Sequence, residues 1–415
     1  GTAYIHSVLV QQRRGMLRVW NLSLLVSTFA LTILGTFLTR SGIIGSVHAF
    51  GAGEVDGYLL GFFGVIVLVS LGLIAWRGDR LRAPGVIDSP VSREGAFLAN
   101  NVVFTVFAVI VLLGTVFPLL VEIFEDRQTV VGAPYFDGLA MPIGLVLLFL
   151  MAIAPVLPWR KASAELLSQR LFWPAWGGAA TLAVAVFVGA DGWAPLVAFF
   201  LAGFAGGAAL RQIVLATRRQ GWRGFVGRAN GGMIVHLGVI LVAVAYVASH
   251  AYTTTRTVNA ELNRPVEILG HEFELLGVEV TADGREERAT ARVRLDGGRV
   301  LEPAVTLYVR HSMDVATPGV STGLTHDVYV TVAENNPPRE DAEVVGLRIQ
   351  RKPLMAWMWT GGLVMALGTV LSAFPGQRRR NPLDPVSAPV PTGRPASGSA
   401  TAAGARDAEP EVEHV

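Results

Sequence analysis

Three histidines stand where imidazole chemistry would be of use. His48 follows an apolar run, 22–38, that would cross most of a bilayer, and it sits in the short stretch Arg40-Ser41-Gly42-Ile43-Ile44-Gly45-Ser46-Val47-His48-Ala49-Phe50. No Lys or Arg follows Arg40 until Arg77, so charge bias puts this loop on the outer side. A neutral imidazole at a membrane surface can ligate a metal. A loop histidine that ligates nothing fits the same stretch, because metal sites are recognised by several ligands together. His236 lies inside a second apolar run, 231–249, within Gly231-Gly232-Met233-Ile234-Val235-His236-Leu237-Gly238. An ionisable side chain inside a span is costly and marks a functional site by default. The flanking glycines would let a bulky planar group or a neighbouring helix approach the backbone. His6 lies near the end of an apolar segment that closes at Gln11-Gln12-Arg13-Arg14. It precedes Arg13 by seven residues, and His236 follows Arg228 by eight. At ~1.5 Å rise per residue each sits roughly 10–12 Å from its basic end. Two imidazoles at matched depth can hold one metal from opposite sides, which is what bis-His haem ligation between bundle helices requires. Two unrelated polar contacts fit the depths equally well.

The elements that must position these residues are membrane helices. Over half of the 415 residues are apolar and 16% are charged, and the mean hydropathy is positive, which fits a polytopic membrane protein rather than a large soluble core. The net charge of +2 and the lack of a basic stripe interleaved with aromatics argue against nucleic acid as a partner. There is no cysteine, hence no disulfide, thiolate nucleophile or Cys metal ligand; thiol chemistry would have to use a partner's sulfur. No signal peptide is visible. The chain starts at Gly1 without Met, in the middle of an apolar segment, and reads as the C-terminal part of a longer protein. Apolar runs at 22–38, 58–76, 96–120, 142–157, 173–188, 193–210, 231–249 and 355–374 predict about eight complete transmembrane helices after a remnant of an earlier one. Arginines crowd one set of connections, with Arg13, Arg14 and Arg18, then Arg77, Arg80 and Arg82, then Arg211, Arg218 and Arg219, and mark those as cytoplasmic. The loop 121–138 holds Glu122, Glu125, Asp126 and Asp137 against Arg127; paired carboxylates can do acid–base work, but a solvated acidic loop is the simpler reading. Asn100 and Asn101 need partners inside the bundle and read as helix–helix contacts.

The stretch 250–353 differs in kind. It is polar, with alternating runs at 271–280, 289–295, 301–309, 328–332 and 344–350 separated by Asp283-Gly284, Asp296-Gly297-Gly298 and Asn336-Pro337-Pro338. This predicts one small β-rich domain outside the membrane. His250, His271, His311 and His326 fall in it, their spacings match no zinc signature, and they read as edge or surface histidines. The predicted organisation is a helical bundle with an external His loop over 1–249, the β-rich periplasmic domain over 250–353, a last span over 354–376 and a disordered cytoplasmic tail over 377–415, rich in Pro, Ala, Gly and Ser.

The wording of several of these stretches is specific. Gly35 to Phe50 resembles the GTFLxRSGxxxSVHAF signature of the cytochrome c maturation haem lyases, the CcmF family, with NrfE-type paralogues as close relatives. Gly1-Thr2-Ala3-Tyr4-Ile5-His6-Ser7, Ser92-Arg93-Glu94, Leu98-Ala99-Asn100-Asn101 and the glycine-rich context of His236 also resemble that family. The resemblance covers nearly the whole chain apart from the tail. It implies a haem lyase subunit in the bacterial inner membrane that helps attach haem to apocytochrome c by thioether bonds. His6 and His236 would be the axial ligands of a haem b within the membrane, and His48 an axial ligand of the incoming haem. The partners implied are apocytochrome c, the haem chaperone CcmE, CcmH- and CcmI-type subunits, membrane lipid and quinol as a source of electrons. In the family a Trp-rich haem-handling segment, with the second ligand of the incoming haem, precedes the match to Gly1. The family's Pro-Glu-Lys-Arg box is replaced here by Val309-Arg310-His311-Ser312.

Two other classes compete with this reading. A secondary transporter, which would carry haem or another solute, places polar groups at the midplane and is built from inverted repeats with broken helices; no repeat is found, and the polar residues that stand out are histidines, not carboxylates. A structural or electron-transfer subunit would hold haem without lyase chemistry, and the Gly35–Phe50 stretch favours the lyase.

Overall fold

The computed structural model describes residues 1–40, 54–82, 87–127, 129–161, 163–284, 286–308, 313–333 and 338–374. The helices are α1 (Thr2–Arg14), α2 (Arg18–Arg40), α3 (Glu54–Trp76), the single turn α4 (Gly78–Leu81), α5 (Arg93–Glu125), α6 (Ala133–Ile153), α7 (Ala164–Phe187), α8 (Trp193–Gln220), α9 (Arg228–Tyr252) and α10 (Met355–Ala373). Seven of them are long and apolar enough to cross a membrane: α2, α3, α5, α6, α8, α9 and α10. Their large apolar side chains face outward, as a lipid solvent demands; Leu68, Val69 and Leu71 on α3 are all more than half exposed. The chain is a multi-pass membrane protein with a β-rich region. The sequence count of eight spans included α7. It is 24 residues long, but Trp173, Pro174, Trp176, Gly177 and Gly178 dilute its hydropathy and it is not among the seven. It packs as the expected hairpin against α8, with a Cβ on Gly177 falling 2.8 Å from the Gly203 carbonyl oxygen.

Two expected boundaries move. Helix α5 runs on to Glu125, so Glu122 and Glu125 are helical rather than in a loop. Helix α6 begins at Ala133, with Pro134 in its first turn, and stops at Ile153; Pro155 and Pro158 follow and cannot continue it. His250 belongs to the last turn of α9 rather than to the β region, where it stands 4.0 Å from Asp137 of α6. His48, His311 and the tail from 375 onward lie outside the described residues.

Between α9 and α10 the described residues form the strands β1 (Thr254–Glu261), β2 (Pro265–Ile268), β3 (His271–Ala282), β4 (Glu286–Leu295), β5 (Arg299–Leu301), β6 (Ala304–Tyr308), β7 (Met313–Thr317), β8 (Gly319–Ser321), β9 (His326–Val332) and β10 (Val344–Pro353). They form two antiparallel sheets, one ordered β1-β10-β9-β8 and the other β2-β3-β4-β6-β7 with β5 on the edge of β4. The expected run at 301–309 splits into β5 and β6 because Pro303 has no N–H for the ladder. Period-two burial puts Val328, Val330 and Val332 of β9, and Val345, Leu347 and Ile349 of β10, on one face. They meet Phe273, Leu275, Ala291 and Val293 of the other sheet in one core.

The inserted domain is tied tightly to the bundle. Thr253 alone separates α9 from β1, and Leu354 alone separates β10 from α10. The two helices then pack glycine to glycine. A Cβ on Gly238 would lie 2.6 Å from the Gly361 carbonyl oxygen, and one on Gly368 would lie 2.6 Å from the Val235 nitrogen. Those neighbours are backbone and cannot rotate away. Gly238→Leu is therefore expected to destabilise the protein by about 1–3 kcal/mol, the range for overpacking, read as a lower midpoint of SDS unfolding. Gly362→Leu is the control: nothing lies within 4 Å of that position, and it should leave the midpoint unchanged.

Candidate functional site

His6 and His236 are 230 positions apart in sequence, on α1 and α9, and the fold brings them face to face. Their ring centres are 6.0 Å apart and their planes differ by 25°. Both side chains are partly buried. On α1 the ring is oriented from behind: Nδ1–H of His6 donates to the Thr2 carbonyl oxygen at 2.9 Å. A carbonyl can only accept, so Nδ1 carries the proton and Nε2 keeps its lone pair, the tautomer a metal ligand needs. His236 has no hydrogen-bond partner among the described residues, which leaves it a free nitrogen to offer. One turn earlier, Gly232 has nothing within 4 Å of where a Cβ would be, while Gly231 and Gly238 are filled by α10. The glycines flanking His236 thus divide their work. One pair admits the neighbouring helix, and Gly232 keeps the His236 side of α9 unobstructed.

These residues fit a bis-His metal centre of the haem type. Neutral imidazole is a usual protein ligand of haem iron, and 6.0 Å between ring centres brings the two within reach of one centre. Phe97 of α5 stands 5.8 Å from His6, Trp159 stands 6.3 Å from Phe97, and the Arg93 guanidinium lies over Trp159 at 5.5 Å.

Helix α1 is fixed in this position by buried polar contacts. With its amide turned to suit its neighbours, Asn101 donates to the Ala3 carbonyl oxygen at 3.0 Å and accepts from Trp20 Nε1 at 3.1 Å and Ser7 Oγ at 2.9 Å. Asn101 is fully buried and joins α1, α2 and α5, gripping α1 at Ala3 and at Ser7, the residue next to His6. At the basic end of α1, Arg14 meets Glu94 at 3.2 Å and Asp88 at 2.9 Å. Glu94 is only 2% exposed, and its carboxylate also accepts the backbone N–H of Arg160 at 2.9 Å. Removing one partner of such a buried ion pair is strongly destabilising. Arg93 closes the end of α6 by donating to the carbonyl oxygens of Pro155 at 2.7 Å and Leu157 at 3.0 Å. Sequence reasoning singled out Asn101 as a helix contact but missed the Arg14–Glu94 pair, whose partners are 80 positions apart and carry no local signal.

His48 lies outside the described residues. Its flanks are the end of α2 at Arg40 and the start of α3 at Glu54, at the opposite end of α2 from Arg18. His271 and His326, expected at edges or on the surface, are half-buried at the starts of the inner strands β3 and β9 and, 55 positions apart, touch through their ring nitrogens. No spacing rule predicts that contact, since it depends on how the two sheets stack.

No protein-family model matches the chain. The cytochrome c-type biogenesis protein CcmF of Pseudomonas aeruginosa is 33% identical over 390 residues, spanning 90% of this chain and 58% of that protein. The cytochrome c-type biogenesis protein CycK of Bradyrhizobium diazoefficiens is 31% identical over 390 residues, spanning 90% of this chain and 58% of that protein. A solved structure described as the cytochrome c haem lyase CcmF superposes with a TM-score of 0.71 at 28% identity, covering 90% of this chain and 58% of that one. The chain spans less than two thirds of the length of these relatives.

Proposed function

Because the chain belongs to the CcmF family of cytochrome c-type biogenesis proteins, we propose that it is a subunit of a cytochrome c haem lyase, holding a resident haem b and taking part in haem attachment to apocytochrome c. The observation that carries this reading is the approach of His6 and His236 to 6.0 Å between ring centres. His6, with Nδ1 committed to Thr2, and His236, on a glycine-cleared helix face, would hold the haem iron, and the haem would supply one-electron chemistry. The chain's own residues orient the two imidazoles, shield one of them with Phe97 and hold α1 against α5 through Asn101 and Glu94.

His48 is the axial ligand of the incoming haem, which is substrate. The chain has no cysteine, so both thioether sulfurs come from apocytochrome c, each thiol adding its sulfur to one vinyl carbon and its hydrogen to the other. Arg14, Arg18, Arg77, Arg93, Arg160, Arg170 and Arg218 all belong to one end of the bundle, against Arg40 and Arg127 at the other. The positive-inside rule makes the first end cytoplasmic and puts the β domain and the His48 connection on the extracytoplasmic side of the inner membrane. There they meet apocytochrome c, the haem chaperone CcmE and CcmH- and CcmI-type subunits, with quinol as the electron source.

Deleting the gene tests this. Covalent haem on c-type cytochromes should fall to background by haem stain while b-type cytochromes persist, and expression of the protein should restore it. An undiminished yield of holocytochrome c in the deletion strain would overturn the reading.

A further inference from the structure

We propose that His271 and His326 are the protein ligands of a divalent metal site at the seam between the two sheets, taking a borderline ion of the Zn²⁺ class. His271 opens β3 in one sheet and His326 opens β9 in the other. Their Nε2 atoms are 3.3 Å apart. Two imidazole nitrogens bound to one tetrahedral ion, with bonds of ~2.0–2.1 Å, stand about 3.3–3.4 Å from one another.

The far side of each ring is already held. Nδ1–H of His271 donates to Asp296 Oδ2 at 2.8 Å, and the other oxygen of Asp296 accepts the Glu272 backbone N–H at 2.8 Å. Asp296 therefore fixes both the ring and its tautomer, leaving a bare Nε2 aimed at His326. This carboxylate–histidine pairing is the usual outer support of a metal-bound imidazole. Nδ1 of His326 lies 3.0 Å from Thr325 Oγ1. When that nitrogen donates to the hydroxyl, two lone pairs face each other at 3.3 Å and need a cation between them. Without metal, turning the Thr325 hydroxyl lets His326 donate through Nε2 to His271, so one proton does the same work. The His271 side chain is 23% exposed and that of Asp296 51%, so water can fill the remaining coordination positions.

The site also has a structural address. Leu354 N–H, at the entry to α10, donates to the Thr325 carbonyl oxygen at 3.0 Å, and Trp357 Nε1 donates to the Leu324 carbonyl oxygen at 2.9 Å. A metal on the histidine pair clamps the two sheets at the edge that is tied to α10.

The test is calorimetric titration of Zn²⁺ into the whole, chelator-treated protein in detergent. Wild type should show a binding event that His271→Ala, and separately His326→Gln, weakens at least tenfold with the far-UV spectrum unchanged. Asp296→Asn should weaken it by about 10–100-fold, the effect of losing an outer-shell partner. Should a variant fail to fold, modification of the unaltered protein by diethylpyrocarbonate gives the same answer: Zn²⁺ should protect His271 and His326. Zn²⁺ binding that is absent, or identical in wild type and variants, would overturn the proposal, as would equal modification with and without Zn²⁺.

Discussion

Purified protein carrying His236→Ala is expected to lose at least nine tenths of its haem b, together with the split visible bands of reduced low-spin haem, and His6→Ala is expected to do the same. The argument is geometric. The two rings face one another at 6.0 Å between centres, so one iron between them depends on both. Removing either leaves a five-coordinate haem on a single imidazole, which binds less firmly and loses the strong axial field. The fold should survive, because the packing of α9 runs through Gly231 and Gly238 against α10 and α1 is held by Asn101 and Glu94. The double variant should be little worse than either single one, since residues acting on one centre are not additive. Free imidazole should restore binding to each single variant by filling the vacated axial position. Full haem content with an unchanged low-spin spectrum in either variant would mean that the facing rings are a packing contact and nothing more.

His48→Ala should give the opposite pattern. The yield of holocytochrome c should drop to background while haem b and its spectrum stay at wild-type levels. Helix α2 has 23 residues, or about 33 Å at ~1.5 Å each, and it separates the 40–54 connection from the basic end near which His6 sits. A substitution in that connection leaves α1, α9 and α5 as they are. On the proposed assignment it would remove a ligand for the haem that must move on, so transfer should fail while the resident haem stays. Measuring both quantities on one membrane preparation separates the two sites. Loss of haem b in His48→Ala would show them to be one.

Much of this was legible in the sequence, and the reasons are specific. Helix existence followed from hydropathy, because a lipid-facing span such as α3 needs little beyond length and apolar side chains. The matched depths of His6 and His236 needed only the basic residues as a ruler. Helix ends were harder to place. Pro142 invited a start at 142 for α6, yet the helix absorbs that proline and begins at Ala133. The alternating runs marked some strands and not others, since β1 is rich in Thr and exposed, and β2, β5 and β8 are three or four residues long, too short to show a period. The contacts of Arg14 with Glu94 and of His271 with His326 were invisible for a different reason. Each joins segments that meet only after helices or sheets have packed, and neither side carries a local pattern of its own.

The insertion of the β domain between α9 and α10 sets an order on synthesis. Helix α9 emerges from the ribosome with its glycine face bare, and the helix that fills that face is roughly a hundred residues away. At ~5–20 residues per second the interval is about 5–20 s, far longer than a helix needs to form. During that time α1 to α8 are already made, and His236 sits on a span whose glycine face still lacks α10. The nascent protein must therefore wait for the whole β domain before the wall behind His236 can close. On the proposed assignment, a haem arriving earlier would meet an unbraced His236, and a ribosome stalled anywhere before Met355 should leave a nascent chain that retains haem poorly.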